Sequence, residues 1–185
     1  MFKKILVALD LSLEAASVLD FALSVAQPKT SEVLLLHFID WQMQDVSPWI
    51  GFGTLYDINL SGAQPIGQDL PLATTSYDWS RQRLQKEVET SQDWLETLTK
   101  KAQKRKNLAY KYECRIGNCN LGIGDRAKEW GADLIVIGRR GHRNISEILL
   151  GSVSNYVIHH APCSVMVVQG NKTSPANELL DVAEI

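Results

Sequence analysis

Short apolar runs alternate along the chain with longer stretches whose apolar positions recur every three or four residues. The short runs predict strands that are buried on both faces, and the longer stretches predict amphipathic helices. The predicted strands are 5–9, 33–39, 110–116, 133–137 and 164–168, and the predicted helices are 12–26, 81–106, 125–130 and 152–160, with Ser12 as the N-cap of the first. Strands that alternate with helices predict an α/β fold with a parallel sheet.

The polarity of each strand predicts its place in that sheet. Strand 110–116 alternates apolar with charged residues, as expected at an edge, and 164–168 suits the opposite edge. The other three strands are continuously apolar and belong in the centre. We therefore expect a three-layer α/β/α fold with a five-stranded parallel sheet of order 3-2-1-4-5. Ligands of such sheets bind where the winding reverses, at the carboxyl ends of strands one and four.

Residues 41–80 interrupt this alternation with aromatic, glycine and proline residues and with acidic but no basic side chains. Connections of this length are usually functional, so we interpret 41–80 as an irregular, lid-like insertion. It would cover a ligand or a partner, or it is only a loop held by a few rings. We assign residues 1–170 to a single domain and 171–185 to a polar C-terminal tail.

Composition narrows the functional classes. The net charge of −2 argues against a nucleic-acid-binding protein, and no apolar stretch approaches the roughly 20 residues of a membrane span. The first residues predict a strand rather than a signal peptide, and three cysteines suit free thiols in a reducing compartment, so we expect a cytoplasmic protein. Neither the cysteines nor the pair His159-His160 has the spacing of a metal site.

The pattern Gly138-x2-Gly141-x9-Gly151-Ser152 follows one predicted strand and opens a predicted helix. Glycines let the backbone approach an oxyanion, and a helix start offers amide groups and partial positive charge, so the pattern predicts a phosphate site. Ser152 and Ser154 add hydroxyl donors, and nearby arginines add positive charge. The alternative is that the glycines are turn residues and that Ser152 is only a helix cap.

Four segments resemble the universal stress protein family. They are Ala132–Gly138 continued by Gly141 and Leu149–Ser154, the opening Lys3–Asp10, the strand Val33–Asp40, and the ending Ala161–Val168. Together they cover roughly residues 1–40 and 81–169. The resemblance implies the Rossmann-like fold of the adenine nucleotide alpha hydrolases and membership of the ATP-binding subclass.

The resemblance also implies a binding site for ATP or AMP, with or without Mg²⁺. Asp10 would contact the ribose or base, the backbone around Phe38 would meet the adenine edge, and the glycine motif would hold the ribose and phosphates. The implied nucleotide-binding residues are Ala8, Leu9, Asp10, Phe38, Gly138, Arg139, Arg140, Gly141, Gly151, Ser152, Val153 and Ser154. The chain departs from the family in its two arginines after Gly138, and in Asp10-Leu11-Ser12 where Asp-Gly-Ser is frequent.

Two functions from different classes agree with this pattern. The first is a stress-response binding or signalling module that acts as a homodimer through the edge strand 164–168. The second is a slow ATP hydrolase, although the sequence offers no convincing general base and no catalytic residue. A flavin or NAD protein is disfavoured because the first strand leads into Asp10-Leu11-Ser12 and not into a Gly-x-Gly-x-x-Gly turn.

Overall fold

The computed structural model of the protein describes residues 2–12, 14–40, 71–139 and 150–169, with only the backbone for residues 71–80. Strands and helices alternate through these ranges. In chain order they are β1 (Lys4–Leu9), α1 (Ala15–Val25), β2 (Glu32–Ile39), α2 (Pro71–Arg105), β3 (Ala109–Ile116), α3 (Cys119–Trp130), β4 (Leu134–Gly138), α4 (Ser152–His160) and β5 (Ser164–Val168). The predicted insertion up to residue 70, the predicted tail, and Arg140 and Gly141 of the glycine motif lie outside the described residues.

The five strands form one sheet of order β3-β2-β1-β4-β5 in which each neighbouring pair is parallel. This confirms the predicted order. The register places Leu9 beside His37 of β2 and Ala8 beside Ile137 of β4. The carboxyl ends of β1 and β4 therefore lie side by side where the winding reverses.

Each face of the sheet packs against two helices. One core joins alternate residues of the central strands to α1 and α2, through side chains such as Leu19, Leu95 and Leu98. The other joins the remaining strand residues to α3 and α4, through Ile123, Ala127 and Val157 among others. Because each fully buried Leu, Ile or Val contributes about 1.5–3 kcal/mol, these cores stabilise the sheet from both sides.

Helix α2 begins ten residues earlier than expected, at Pro71 instead of Arg81. Proline suits the first position of a helix because its φ is already helical and its missing amide N–H has no partner there. The prediction that 41–80 is irregular is therefore wrong for its last ten residues. Aromatic and polar residues between Pro71 and Arg81 weaken the helical pattern in the sequence, although none of them is glycine or proline.

Helix α3 also begins earlier than expected, at Cys119 instead of Asp125. The side chain of Asn118 caps it by accepting hydrogen bonds from the amides of Asn120 at 2.9 Å and Leu121 at 3.4 Å. Gly122 and Gly124, which precede the expected start of the helix, are therefore helical residues.

Helix α1 begins later than expected, and its N-cap is Glu14 rather than Ser12. The Ser12 hydroxyl donates instead to Oδ1 of Asp10 at 2.5 Å, and the Ser12 carbonyl accepts from the Ala15 amide at 3.2 Å. Residues 10–12 thus form a turn between β1 and α1.

An ion pair fastens α3 to the edge strand β3. The guanidinium of Arg126 donates to both carboxylate oxygens of Glu113, with Nε 2.7 Å from Oε2 and Nη2 2.5 Å from Oε1. These bonds lower the pKa of Glu113, since they favour the ionised carboxylate. The two-point contact restrains α3 against the sheet at the level of β3.

In the part of the chain that the structure describes, no helix combines the length and the apolarity needed to cross a membrane.

We predict that Asn118→Ala lowers the free energy of unfolding by about 1 kcal/mol, because α3 loses its side-chain cap. For a domain of this size, the midpoint of thermal unfolding should fall by about 2–4 °C. Asn118→Asp replaces the amide oxygen with a carboxylate oxygen that accepts the same hydrogen bonds, and it should retain wild-type stability. Equal melting of Asn118→Ala and wild type in circular dichroism would show that the cap does not stabilise α3.

Candidate functional site

The carboxyl ends of β1 and β4 bring several of the sequence-predicted site residues to one edge of the sheet. Ala8 and Leu9 form the buried end of β1, and Asp10 follows them directly. Gly138 ends β4, and Arg139 continues from it. Ala8 pairs with Ile137, the residue before Gly138, so the two groups lie on neighbouring strands.

Asp10 is half-buried and is oriented by the turn that follows it. One of its carboxylate oxygens accepts the hydrogen bond from the Ser12 hydroxyl, which restricts the rotation of the side chain. Ser12 therefore positions the carboxylate at the end of β1.

Two hydrogen bonds to one carbonyl join the residues on either side of the undescribed stretch 140–149. The Arg139 carbonyl accepts from the Gly151 amide at 2.8 Å and from the Ser154 hydroxyl at 3.0 Å. The Arg139 amide donates to the Val168 carbonyl of β5 at 2.7 Å. The end of β4 and the start of α4 are thus held against each other and against the edge strand.

Ser154 is 2% exposed, and its hydroxyl also lies 3.0 Å from the Gly151 carbonyl. In this structure the hydroxyl is bonded to backbone carbonyls, and its contact with phosphate stays a prediction. Through these bonds Ser154 positions the start of α4 relative to β4.

The amino end of α4 offers backbone donors to this edge. Gly151 is its N-cap and supplies no side-chain hydrogen bond, and the first bond from the helix to the cap runs from the Asn155 amide to the Gly151 carbonyl. The helix itself therefore contains no acceptor for the amides of Ser152, Val153 and Ser154. These amides and the helix dipole create a partly positive site that suits an anion.

The hypothesis that Ser152 is the helix cap is wrong. Ser152 is the first helical residue, and its side chain is exposed.

Strand β2 is longer than β1 at its carboxyl end, so the last residues of β2 lie beyond the end of β1. Its last residue paired with β1 is His37, so Phe38 and Ile39 pair with β3 alone. The Ile39 carbonyl accepts from the Gly117 amide at 3.0 Å on the β3 side. Because successive carbonyls of a strand point to opposite sides, the Phe38 carbonyl faces the β1 side.

His37 supports the same corner from within the core. Its Nδ1 lies 2.9 Å from the Leu9 carbonyl, and its ring meets the edge of Trp94 in α2. His37 is therefore a buried core residue whose ring is hydrogen-bonded to the end of β1.

Sequence reasoning missed the contribution of α3 to this corner. Cys119 begins that helix close to Asp10 and Asp40; burial raises the pKa of its thiol, and both carboxylates add to the increase. Gly122, one turn later, lies directly against the ring of Phe38. The signal for this arrangement was Asn118, since an asparagine cap there makes Cys119 and Gly122 helical residues.

Over the described ranges, no cluster of three or more histidine, cysteine, aspartate or glutamate side chains has the arrangement of a metal site.

The model of the universal stress protein family matches residues 1–56 and 63–169, which is most of the chain. The chain belongs to the universal stress protein family. Universal stress protein Sll1388 of Synechocystis is 34% identical over 168 residues, which are 91% of this chain and 98% of that protein. This family membership confirms the resemblance that the four sequence segments showed.

Solved structures of the family have the same fold. The structure of MJ0577, a universal stress protein of Methanocaldococcus jannaschii, is 25% identical, has a TM-score of 0.70, and covers 92% of this chain and 98% of its own. A family member from Arabidopsis thaliana, solved with AMP bound, is 17% identical with a TM-score of 0.56, covering 95% and 98% of the two chains. The similarity to the Arabidopsis thaliana structure shows that the two chains share a fold.

We predict that Ser154→Ala lowers the free energy of unfolding by about 1 kcal/mol, because a buried hydroxyl that joins Arg139 to Gly151 is lost. Ser152→Ala, two residues away and exposed, should change it by less than about 0.5 kcal/mol. Urea unfolding of both variants checks the difference. Equal effects at the two serines would contradict a positioning role for Ser154.

Proposed function

We propose that this protein binds adenine nucleotides, ATP or AMP, and acts in the cytoplasm as a stress-response binding or signalling module. One observation carries the proposal: the start of α4, whose first amides have no acceptor within the helix, and Asp10 follow the neighbouring strands β4 and β1 at the switch point of the sheet. A nucleotide has the matching polarity, since its phosphates are anionic and its ribose carries hydroxyl donors.

The phosphate end is assigned to the start of α4. The amides of Ser152, Val153 and Ser154 supply donors, and half-buried Arg139 supplies positive charge beside them. Arg140 and Gly141 belong to the same proposed site by sequence. Charge-assisted bonds from arginine and from helix amides are the strongest contacts available to phosphate oxygens.

The nucleoside end is assigned to the corner between β1 and β2. The Asp10 carboxylate accepts hydrogen bonds, which suits the ribose hydroxyls. The Phe38 carbonyl, which faces the β1 side, is an acceptor that suits the exocyclic amino group of adenine. Guanine carries a carbonyl oxygen at the corresponding position, which would leave two acceptors facing each other.

Family membership supports the ligand class. The relative from Arabidopsis thaliana holds AMP, an adenine nucleotide, on the same fold. We infer that the present chain uses the corresponding edge of its sheet, where the donors and acceptors described above converge. Mg²⁺ would accompany ATP through its phosphate oxygens.

Isothermal titration calorimetry should show saturable binding of ATP or AMP, and weaker binding of GTP by about tenfold or more, because one mismatched polar contact costs about 1–3 kcal/mol. Asp10→Ala should weaken binding by a similar factor. Asp20→Ala in α1, where the carboxylate pairs with Arg105 of α2 and not with a residue of the site, is the control and should bind like wild type. Absence of saturation with any adenine nucleotide at millimolar concentration would refute the proposal.

A second arm separates a binding module from an enzyme. Incubation with ATP and Mg²⁺ should return intact ATP, with turnover far below the roughly 1 per second of ordinary enzymes. Faster release of phosphate, abolished by Asp10→Ala, would instead establish the ATP hydrolase.

We further propose a homodimer that pairs the β5 strands of two copies. Strand β5 is an edge strand in which Val165, Met166 and Val167 are only partly buried. An apolar edge of this kind promotes aggregation unless a partner covers it. Antiparallel pairing about a twofold axis would cover both edges with the same contact.

Sedimentation should therefore show a dimer at micromolar concentration that dissociates on dilution. Val167→Lys should shift the equilibrium to monomer, because a charged side chain at the paired edge resists burial. Ile158→Lys on the exposed face of α4 is the control and should leave the dimer intact. A wild-type protein that stays monomeric would rule out this assembly.

A further inference from the structure

A glycine in α3 lies under the aromatic ring of Phe38, beside the proposed nucleoside end of the site. A Cβ built on Gly122 would lie 2.3 Å from Cζ of Phe38 and 2.5 Å from Cε1. Real Cβ atoms do not approach other atoms so closely, so only glycine at 122 permits this position of the ring. Gly122 is in ordinary helical conformation, and therefore the contact, not the backbone angle, accounts for the glycine.

The ring of Phe38 lies next to the proposed nucleoside end of the site. Phe38 is half-buried and packs on the same face of the sheet as Ala8, with α3 on its outer side. The ring is in contact with α3 at Gly122 and belongs to the same core as Ala8, so it lies between α3 and the end of β1.

We propose that Gly122 is a specificity-determining residue for the base, because it lets Phe38 withdraw against α3 and leaves room for a purine. The inference rests on the proposed function and concerns the base end of the same site. Any side chain at 122 drives the ring away from the helix. Since α3 blocks the outer side, the ring moves toward the end of β1, where the base would lie.

The predicted variant effect is a change in the choice between a large and a small base. Gly122→Ala should weaken ATP binding by about tenfold while CTP binding changes by less than about twofold, because only the larger base needs the lost space. CTP is the probe because cytosine also carries an exocyclic amino group but has a single ring. The measured quantity is the ratio of the ATP and CTP dissociation constants.

Helix α3 provides a matched control in Gly124. A Cβ there would lie 3.9 Å from the His160 carbonyl, which is ordinary contact. Gly122→Ala and Gly124→Ala gain the same helix propensity on the same helix. Gly124→Ala should keep the wild-type ratio, so a general effect on α3 is separated from the contact with Phe38.

A double-mutant cycle tests whether the effect passes through Phe38. Phe38→Leu removes the atoms nearest to Gly122, so adding Gly122→Ala to it should change the ATP/CTP ratio by less than about twofold. If Gly122→Ala does not fold, Phe38→Leu alone tests whether the ring of Phe38 contacts the base. It should weaken ATP binding more than CTP binding, since a purine contacts more of the ring.

The outcomes separate the two proposals. A wild-type protein that binds no nucleotide refutes the proposed function and the role of Gly122 with it. A wild-type protein that binds ATP, beside a Gly122→Ala variant with an unchanged ratio, overturns the inference alone. Equal losses for Gly122→Ala and Gly124→Ala, or an undiminished loss in the Phe38→Leu background, also overturn it.

Discussion

The parallel pairing of β1 with β4 is the constraint on which the candidate site depends. Parallel strands that share a sheet direct all their carboxyl ends to one edge, and the reversal of winding opens a crevice at this pair. The pairing is stable because both strands are buried on both faces, against α1 and α2 on one side and α3 and α4 on the other. Asp10 and Arg139, which follow the two strands, therefore lie at the same edge of the sheet although they are far apart in sequence.

Hydrogen bonds around the Arg139 carbonyl extend this constraint to α4. The Gly151 amide and the Ser154 hydroxyl both donate to it, so the amino end of α4 is held at the end of β4. A helix start is useful to an anion only when its amides are directed at a defined place. Buried Ser154 contributes to this positioning, because its hydroxyl is bonded to the carbonyls of Arg139 and Gly151.

The base end of the site depends on α3, which reaches the sheet through different contacts. The Asn118 cap starts the helix early, the Arg126–Glu113 ion pair holds it to β3, and Gly122 brings its backbone against Phe38. The absence of a side chain at position 122 thus lets the ring of Phe38 approach the helix closely. In the proposed site, this close approach leaves room for the base beside the end of β1.

The sequence alone determined the strand order, the buried or edge character of each strand, and the place of the glycine motif between β4 and α4. These features follow from local patterns, because burial on one or both faces leaves a periodic record in the chain. Helix starts at Pro71, Ala15 and Cys119 were predicted wrongly, since capping and turn contacts compete with periodicity there. Only the tertiary structure decided that Ser154 bonds to the backbone and that Gly122 accommodates Phe38. Both depend on residues distant in sequence, and a pattern along one segment does not record which distant atom fills the space beside it.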